Sequence, residues 1–183
     1  MKDNACRPLE AHEIDLVLTH LDSPRDKALF ILGLKSGFRI SELLSISIED
    51  TIKKGSIVDR IRVHSSHMKG KRAFREVKLH SEAKQALEPL LKRLSGPLFV
   101  SQKGTRLSRS QAWRILTQAF DKAGLEGKLA THSLRKSFSV SVYNASGYDI
   151  IKTRDMLGHA SITTTNDYLA SNRKDLDDLI DKI

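Results

Sequence analysis

Apolar positions recur along most of this chain at intervals of three and four residues, the spacing that gathers side chains on one face of a helix. Ile14, Val17, Leu18 and Leu21 mark a first helix. Ser23-Pro24-Arg25-Asp26 opens a second: Ser23 can cap, Pro24 suits the first turn, and Asp26 sits where an acid helps. Gly37 should close that helix in the left-handed conformation, leaving Arg39 just past a helix end and ahead of a short helix from Ile40 to Ser45. Ala83, Ala86, Leu87, Leu90, Leu91 and Leu94 form a stripe capped by Ser81, and Pro89 inside it predicts a kink or break. Trp113, Leu116 and Phe120 share one face of a helix from about Ser108, closed by Gly124. Another helix runs from about His132 to Ala145 and ends at Gly147, although Ser139-Val140-Ser141-Val142 alternates like a strand. Short helices over 149–157 and 162–169 follow, and Leu176, Leu179, Ile180 and Ile183 line a final one over 172–183.

Between Ser56 and Leu79 the period falls to two. Ile57, Ile61 and Val63 alternate with polar residues, His67-Met68-Lys69-Gly70-Lys71 reads as a turn, and Val77 and Leu79 resume the alternation. That is an antiparallel hairpin with a basic tip. The fold class is therefore mainly α with a small antiparallel β-sheet (α+β). No repeat, low-complexity tract or long Gly/Ser/Pro linker interrupts the chain, so residues 1–183 are expected to form one domain.

Composition narrows the function. The chain has 183 residues with 39% hydrophobic and 29% charged, an ordinary globular balance. Its strongest apolar run, Ala28 to Leu34, is too short to span a bilayer, and no signal peptide opens the chain. One cysteine, Cys6, fits a reducing cytosol. The 31 Lys+Arg against 22 Asp+Glu give +9, which favours a polyanionic partner, nucleic acid before anionic membrane. Basic residues gather at Lys69, Lys71, Arg72 and Arg75, at Arg106, Arg109 and Arg114, and at Arg135-Lys136. A basic groove predicts that log affinity for DNA falls with log salt at about −0.9 per phosphate contacted. The acidic Asp175–Asp181 stretch reads as a solvated helix face; it lacks the histidines or glycine-rich loop of a metal motif.

The chemistry concentrates in the last third, where His132, Arg135, His159 and Tyr168 fall within 37 residues. His132 and Arg135 are one helical turn apart and share a face. Arginines suit non-bridging phosphate oxygens, and a phenol can attack phosphorus. Each motif is weak alone. Their order is not: Gly37-Phe38-Arg39-Ile40-Ser41-Glu42-Leu43, the turn Met68-Lys69-Gly70-Lys71, Thr131-His132-Ser133-Leu134-Arg135, and Leu157-Gly158-His159-Ala160-Ser161 leading through Thr164-Thr165 to Tyr168. With these four boxes the chain resembles the catalytic domain of the tyrosine recombinases, the phage-integrase family, from about Leu9 to Ala170. Two departures are Lys136, where a histidine often follows the second arginine, and Ser36, where a threonine is common.

The resemblance implies the tyrosine recombinase catalytic-domain fold and a mechanism. Tyr168 would attack the scissile phosphate and form a 3′-phosphotyrosyl intermediate, with His132 as general base, Arg39 and Arg135 on the non-bridging oxygens, and His159 on the phosphate. Lys69 would protonate the departing 5′-oxygen, with Lys71 as its competitor. Glu42 would support the site, or else be a solvated helix carboxylate. Lys71, Arg72, Arg75, Arg106, Arg109 and Lys136 are the expected DNA contacts. No metal or other cofactor is required. Double-stranded DNA is the partner, with self-association into a tetrameric synapse on DNA and a weakly associating or monomeric free state. The setting is cytoplasmic, at the nucleoid, with no membrane. The C-terminal helix either packs into a neighbouring protomer or docks on its own domain. Only about eight residues precede the match, so no N-terminal core-binding domain is expected. The chain is then either an excised catalytic domain or similar to the short recombinases that invert fimbrial switches. Two other functions keep the same fold: a non-catalytic DNA-binding regulator, and a topoisomerase or resolvase using the same tyrosine chemistry.

Overall fold

A computed structural model describes residues 6–64, 74–159 and 161–169. The first of its two compact units, residues 1–138, begins with α1 (Ala11–Thr19), α2 (Pro24–Ser36) and α3 (Ile40–Ser45). A 3₁₀ turn (Ile48–Asp50) and the two-residue strands β1 (Ile52–Lys53) and β2 (Ser56–Ile57) lead into the main hairpin. That hairpin pairs β3 (Arg60–His64) antiparallel with β4 (Phe74–Lys78). Then come α4 (Ser81–Leu87), a 3₁₀ turn (Glu88–Leu90), α5 (Arg109–Lys122) and the first half of α6 (Thr131–Ala145). The second unit, residues 139–183, holds the rest of α6, α7 (Ile150–Leu157) and α8 (Ile162–Leu169). This helix-rich architecture with small antiparallel sheets bears out the α+β expectation.

Caps set the helix ends. Ser23 accepts from the Asp26 N–H at 3.0 Å, Pro24 occupies the first turn, and Gly37 ends α2 at φ +59°. The Cβ of any other residue at 37 would lie 2.2 Å from Cδ1 of Phe138, so both backbone conformation and space require glycine there. In unit 1, α2 packs on α3 and α4. Its Leu29 and Leu32 join Phe38, Leu43, Ile61, Val77, Leu87 and Phe99 in one core cluster. Phe30 and Leu34, on the other side of α2, join Val17, Leu116, Phe120 and Leu134 in a second. A helix hydrophobic on both sides is thus the central beam of this unit.

Some expectations change. Pro89 ends α4 at Leu87 and starts the 3₁₀ turn, so Leu94 lies beyond the stripe and is fully exposed. The α4 cap is His80, whose ring accepts from the Glu82 N–H, in place of Ser81. Trp113 is half exposed although Leu116 and Phe120 on the same helix are buried. Ser139–Val142 is helical throughout, since α6 runs unbroken to Ala145. The helix expected over 172–183 lies outside the described residues.

Candidate active site

The site of the first unit is built on the turn between α2 and α3. The left-handed Gly37 reverses the chain and brings its own carbonyl and that of Ser36 to one side, while Arg39 becomes the N-terminal flank of α3. Glu42, at the third position of α3, accepts from the Arg39 backbone N–H at 2.7 Å and from its Nη1 at 2.8 Å. That carboxylate is completely buried; the Arg39 side chain keeps partial contact with solvent.

Two further guanidiniums converge on the same turn. Arg135, one turn after His132 in α6, donates Nη1–H to the Gly37 carbonyl and is itself buried. Arg75 reaches in from β4. Its Nη1 donates to the Gly37 carbonyl at 3.1 Å and to Glu42 Oε2 at 3.3 Å, and its Nη2 to the Ser36 carbonyl at 3.1 Å. Its guanidinium carbon stands 4.9 Å from the centre of the Phe38 ring. Burial, and then the neighbouring Arg135, pull Arg75 down to about 10 against the pull of Glu42, so it remains cationic at neutral pH. Three cations around one carboxylate make a corner of net positive charge.

His132 lies beside that corner with its ring still reaching solvent. Desolvation first, then the charges of Arg135, Arg39 and Lys136, hold its pKa below the ordinary histidine value. A neutral imidazole at neutral pH can accept a proton.

In the second unit, Asp149 caps α7 by accepting from the N–H groups of Ile151 and Lys152, and Gly158 ends it at φ +66°. His159 follows at once, buried, with Nδ1 3.0 Å from the Thr165 hydroxyl. Tyr168 is on α8, one turn after Thr165.

The residues expected to contact DNA differ in their surroundings, and two of them are buried. Arg75 is 7% exposed and belongs to the buried cluster, because its position on β4 points to the core. Lys136 is buried too, on the enclosed middle of α6, and desolvation lowers its pKa. Arg106 is exposed, yet its guanidinium donates to the carbonyls of Leu44 and Ile46. Arg109 is exposed at the start of α5. Lys69, Lys71 and Arg72 lie outside the described residues. Among the described residues, no three metal-ligating side chains cluster and no helix is long and apolar enough to cross a membrane.

Sequence reasoning missed two partners. Arg75 was legible by strand parity, since Phe74, Glu76 and Lys78 face outward while Arg75 and Val77 face inward. Thr165 stood in the box that leads to Tyr168, but nothing local marked it as the partner of His159.

The first unit is thus a mainly helical frame that gathers three guanidiniums and one buried carboxylate at a single turn, with a histidine beside them. The sequence matches the phage integrase family over residues 7–175, and the chain belongs to that family. It is 34% identical over 181 residues to the tyrosine recombinase XerC of Roseiflexus sp. (strain RS-1), covering 91% of this chain and 56% of that protein. The crystal structure of XerA recombinase superposes with a TM-score of 0.79 at 27% identity, over 96% of this chain and 64% of that one. XerH site-specific recombinase bound to difH substrate, in a pre-cleavage complex, gives 0.68 at 26% identity, over 88% of this chain and 50% of that one. The fold is that of a tyrosine recombinase catalytic domain. The chain spans about half the length of the curated relatives it matches.

Proposed function

We propose that this chain carries the catalytic centre of a site-specific DNA recombinase that cuts and rejoins double-stranded DNA through a 3′-phosphotyrosyl intermediate. The observation that carries the reading is the convergence of Arg39, Arg75 and Arg135 on the Ser36–Gly37 carbonyls and Glu42, with His132 alongside. Kinship with XerC and the likeness to DNA-bound XerH support it.

In this reading Arg39 and Arg135 hold the two non-bridging oxygens of the scissile phosphate. Planar forks fixed by a buried carboxylate and a backbone carbonyl suit that geometry, which an ammonium does not offer. The neutral His132 accepts the phenol proton as Tyr168 attacks phosphorus, since a free phenol near pH 10 is mostly protonated at neutral pH. The P–O5′ bond breaks, Lys69 protonates the leaving 5′-oxygen, and the phosphate is held as a tyrosyl ester. His159, oriented by Thr165, donates to the phosphate. A 5′-hydroxyl from a partner duplex then reverses the step and releases the phenol. Exchange between two duplexes calls for a tetrameric synapse, with residues 172–183 as an interface element, and a DNA substrate fits a cytoplasmic setting at the nucleoid.

The test is a duplex carrying the cognate site with a nick just 3′ of the scissile phosphate, from which the short fragment bearing the new 5′-hydroxyl diffuses away. Wild type should accumulate a denaturation-resistant protein–DNA adduct and Tyr168→Phe should form none. An adduct of equal yield with Tyr168→Phe would refute the nucleophile.

A further inference from the structure

Arg75 stands where the β4 alternation calls for an apolar residue. Directly across the hairpin it faces Val63, and Val77, two positions on, is core. A buried cation there is costly unless paired. Among its bonds are those to the two turn carbonyls and to the buried carboxylate of Glu42.

Glu42 is shared. Oε1 takes Arg39 Nη1, and Oε2 takes both the Arg39 backbone N–H and Arg75 Nη1. Had the carboxylate only Arg39 for company, the two charges would cancel and an incoming phosphate would meet a dipole. With Arg75 as second counter-ion, one negative charge lies between two positive ones, and Arg39 keeps a net pull on an anion. We infer that Arg75 is a positioning residue of the phosphate site: from strand β4 it neutralises Glu42 and fixes the Ser36–Gly37 turn, leaving the charge of Arg39 available to the phosphate. This rests on the reading in which Arg39 and Arg135 clasp the scissile phosphate. It also ties strand β4 of the main hairpin to the arginine turn.

A double-mutant cycle separates this from a staple that only holds the fold together. Inorganic phosphate is titrated into wild type, Arg75→Met, Glu42→Gln and the double variant, followed through arginine Nε–Hε resonances, with melting curves for each. Arg75→Met should weaken phosphate binding about tenfold in the wild-type background but less than about threefold where Glu42 is already glutamine. On the nicked duplex it should slow adduct formation while changing DNA affinity far less. Equal losses in both backgrounds would overturn the inference, as would an Arg75→Met protein that binds phosphate like wild type. Should Arg75→Met fail to fold, Glu42→Gln against the double variant decides alone: a tenfold drop there overturns it. Phosphate binding with this pattern but no adduct from wild type would sink the recombinase reading and leave the Arg75 role standing. No phosphate binding by wild type would sink both.

Discussion

Two carbonyls and a carboxylate, those of Ser36, Gly37 and Glu42, hold three guanidiniums in one corner of the first unit, and the backbone of Gly37 makes the corner possible. Its φ of +59° and the Phe138 ring leave no room for a side chain. Gly37→Ala should cost about 2–3 kcal/mol through overpacking and an unfavourable backbone region, read as a lower urea midpoint. An unchanged midpoint would remove the steric argument. At His132 the sign of the pH effect follows from its lowered pKa. Between that value and the unfolded one near 6.5, the unfolded chain binds more protons, so stability rises with pH through this window and is lost as pH falls through it. His132→Gln should flatten that slope in a stability-against-pH series. Phosphate bound beside the ring favours imidazolium, so an NMR titration of His132 should move upward when phosphate is added.

At the scale of elements, the helix ends were the most legible part of the sequence because caps are local chemistry. Ser23, Pro24, Asp26 and Gly37 do what their residue types suggest. Ser23→Ala should cost about 1 kcal/mol, since it leaves the Asp26 N–H only its backbone bond to the Ser23 carbonyl, and thermal unfolding of the variant checks it. Equal stability would mean the cap is silent. Pro89 announced a break, and the chain breaks there; the cap at the start of that helix is His80, whose ring nitrogen accepts from the Glu82 N–H. Arg75 shows where residue type misleads. Charge suggested a surface contact, parity placed it in the core, and parity wins because β3 and β4 bury one face through Ile61, Val63 and Val77. Lys136 is buried for a related reason: every position of α6 from Ser133 to Ser139 is buried, so periodicity marks no outer face there. Trp113 fails the other way, as an aromatic that the packing of α5 leaves outside.

Across the whole molecule, the arginine boxes could be read from sequence order, but their convergence could not. Nothing local in Gly37-Phe38-Arg39 or His132-Ser133-Leu134-Arg135 says that the second arginine donates to a carbonyl of the first box, 98 residues away. That contact depends on α2 lying between two apolar clusters, with Leu134 of α6 in the second. The net charge of +9 supports a polyanionic partner, yet part of it is internal, engaged by Glu42 and backbone oxygens. In the proposed function Arg39 and Arg135 neutralise one DNA phosphate. The most direct measurement replaces a non-bridging oxygen of the scissile phosphate by methyl, which removes its charge, and compares cleavage rates. On the natural phosphate, Arg39→Ala and Arg135→Ala should each lose roughly 10²–10³ in rate. On the uncharged methylphosphonate at least one of the two losses should shrink below about tenfold, because the charge it answers is gone. Undiminished losses for both arginines on the neutral linkage would contradict the account.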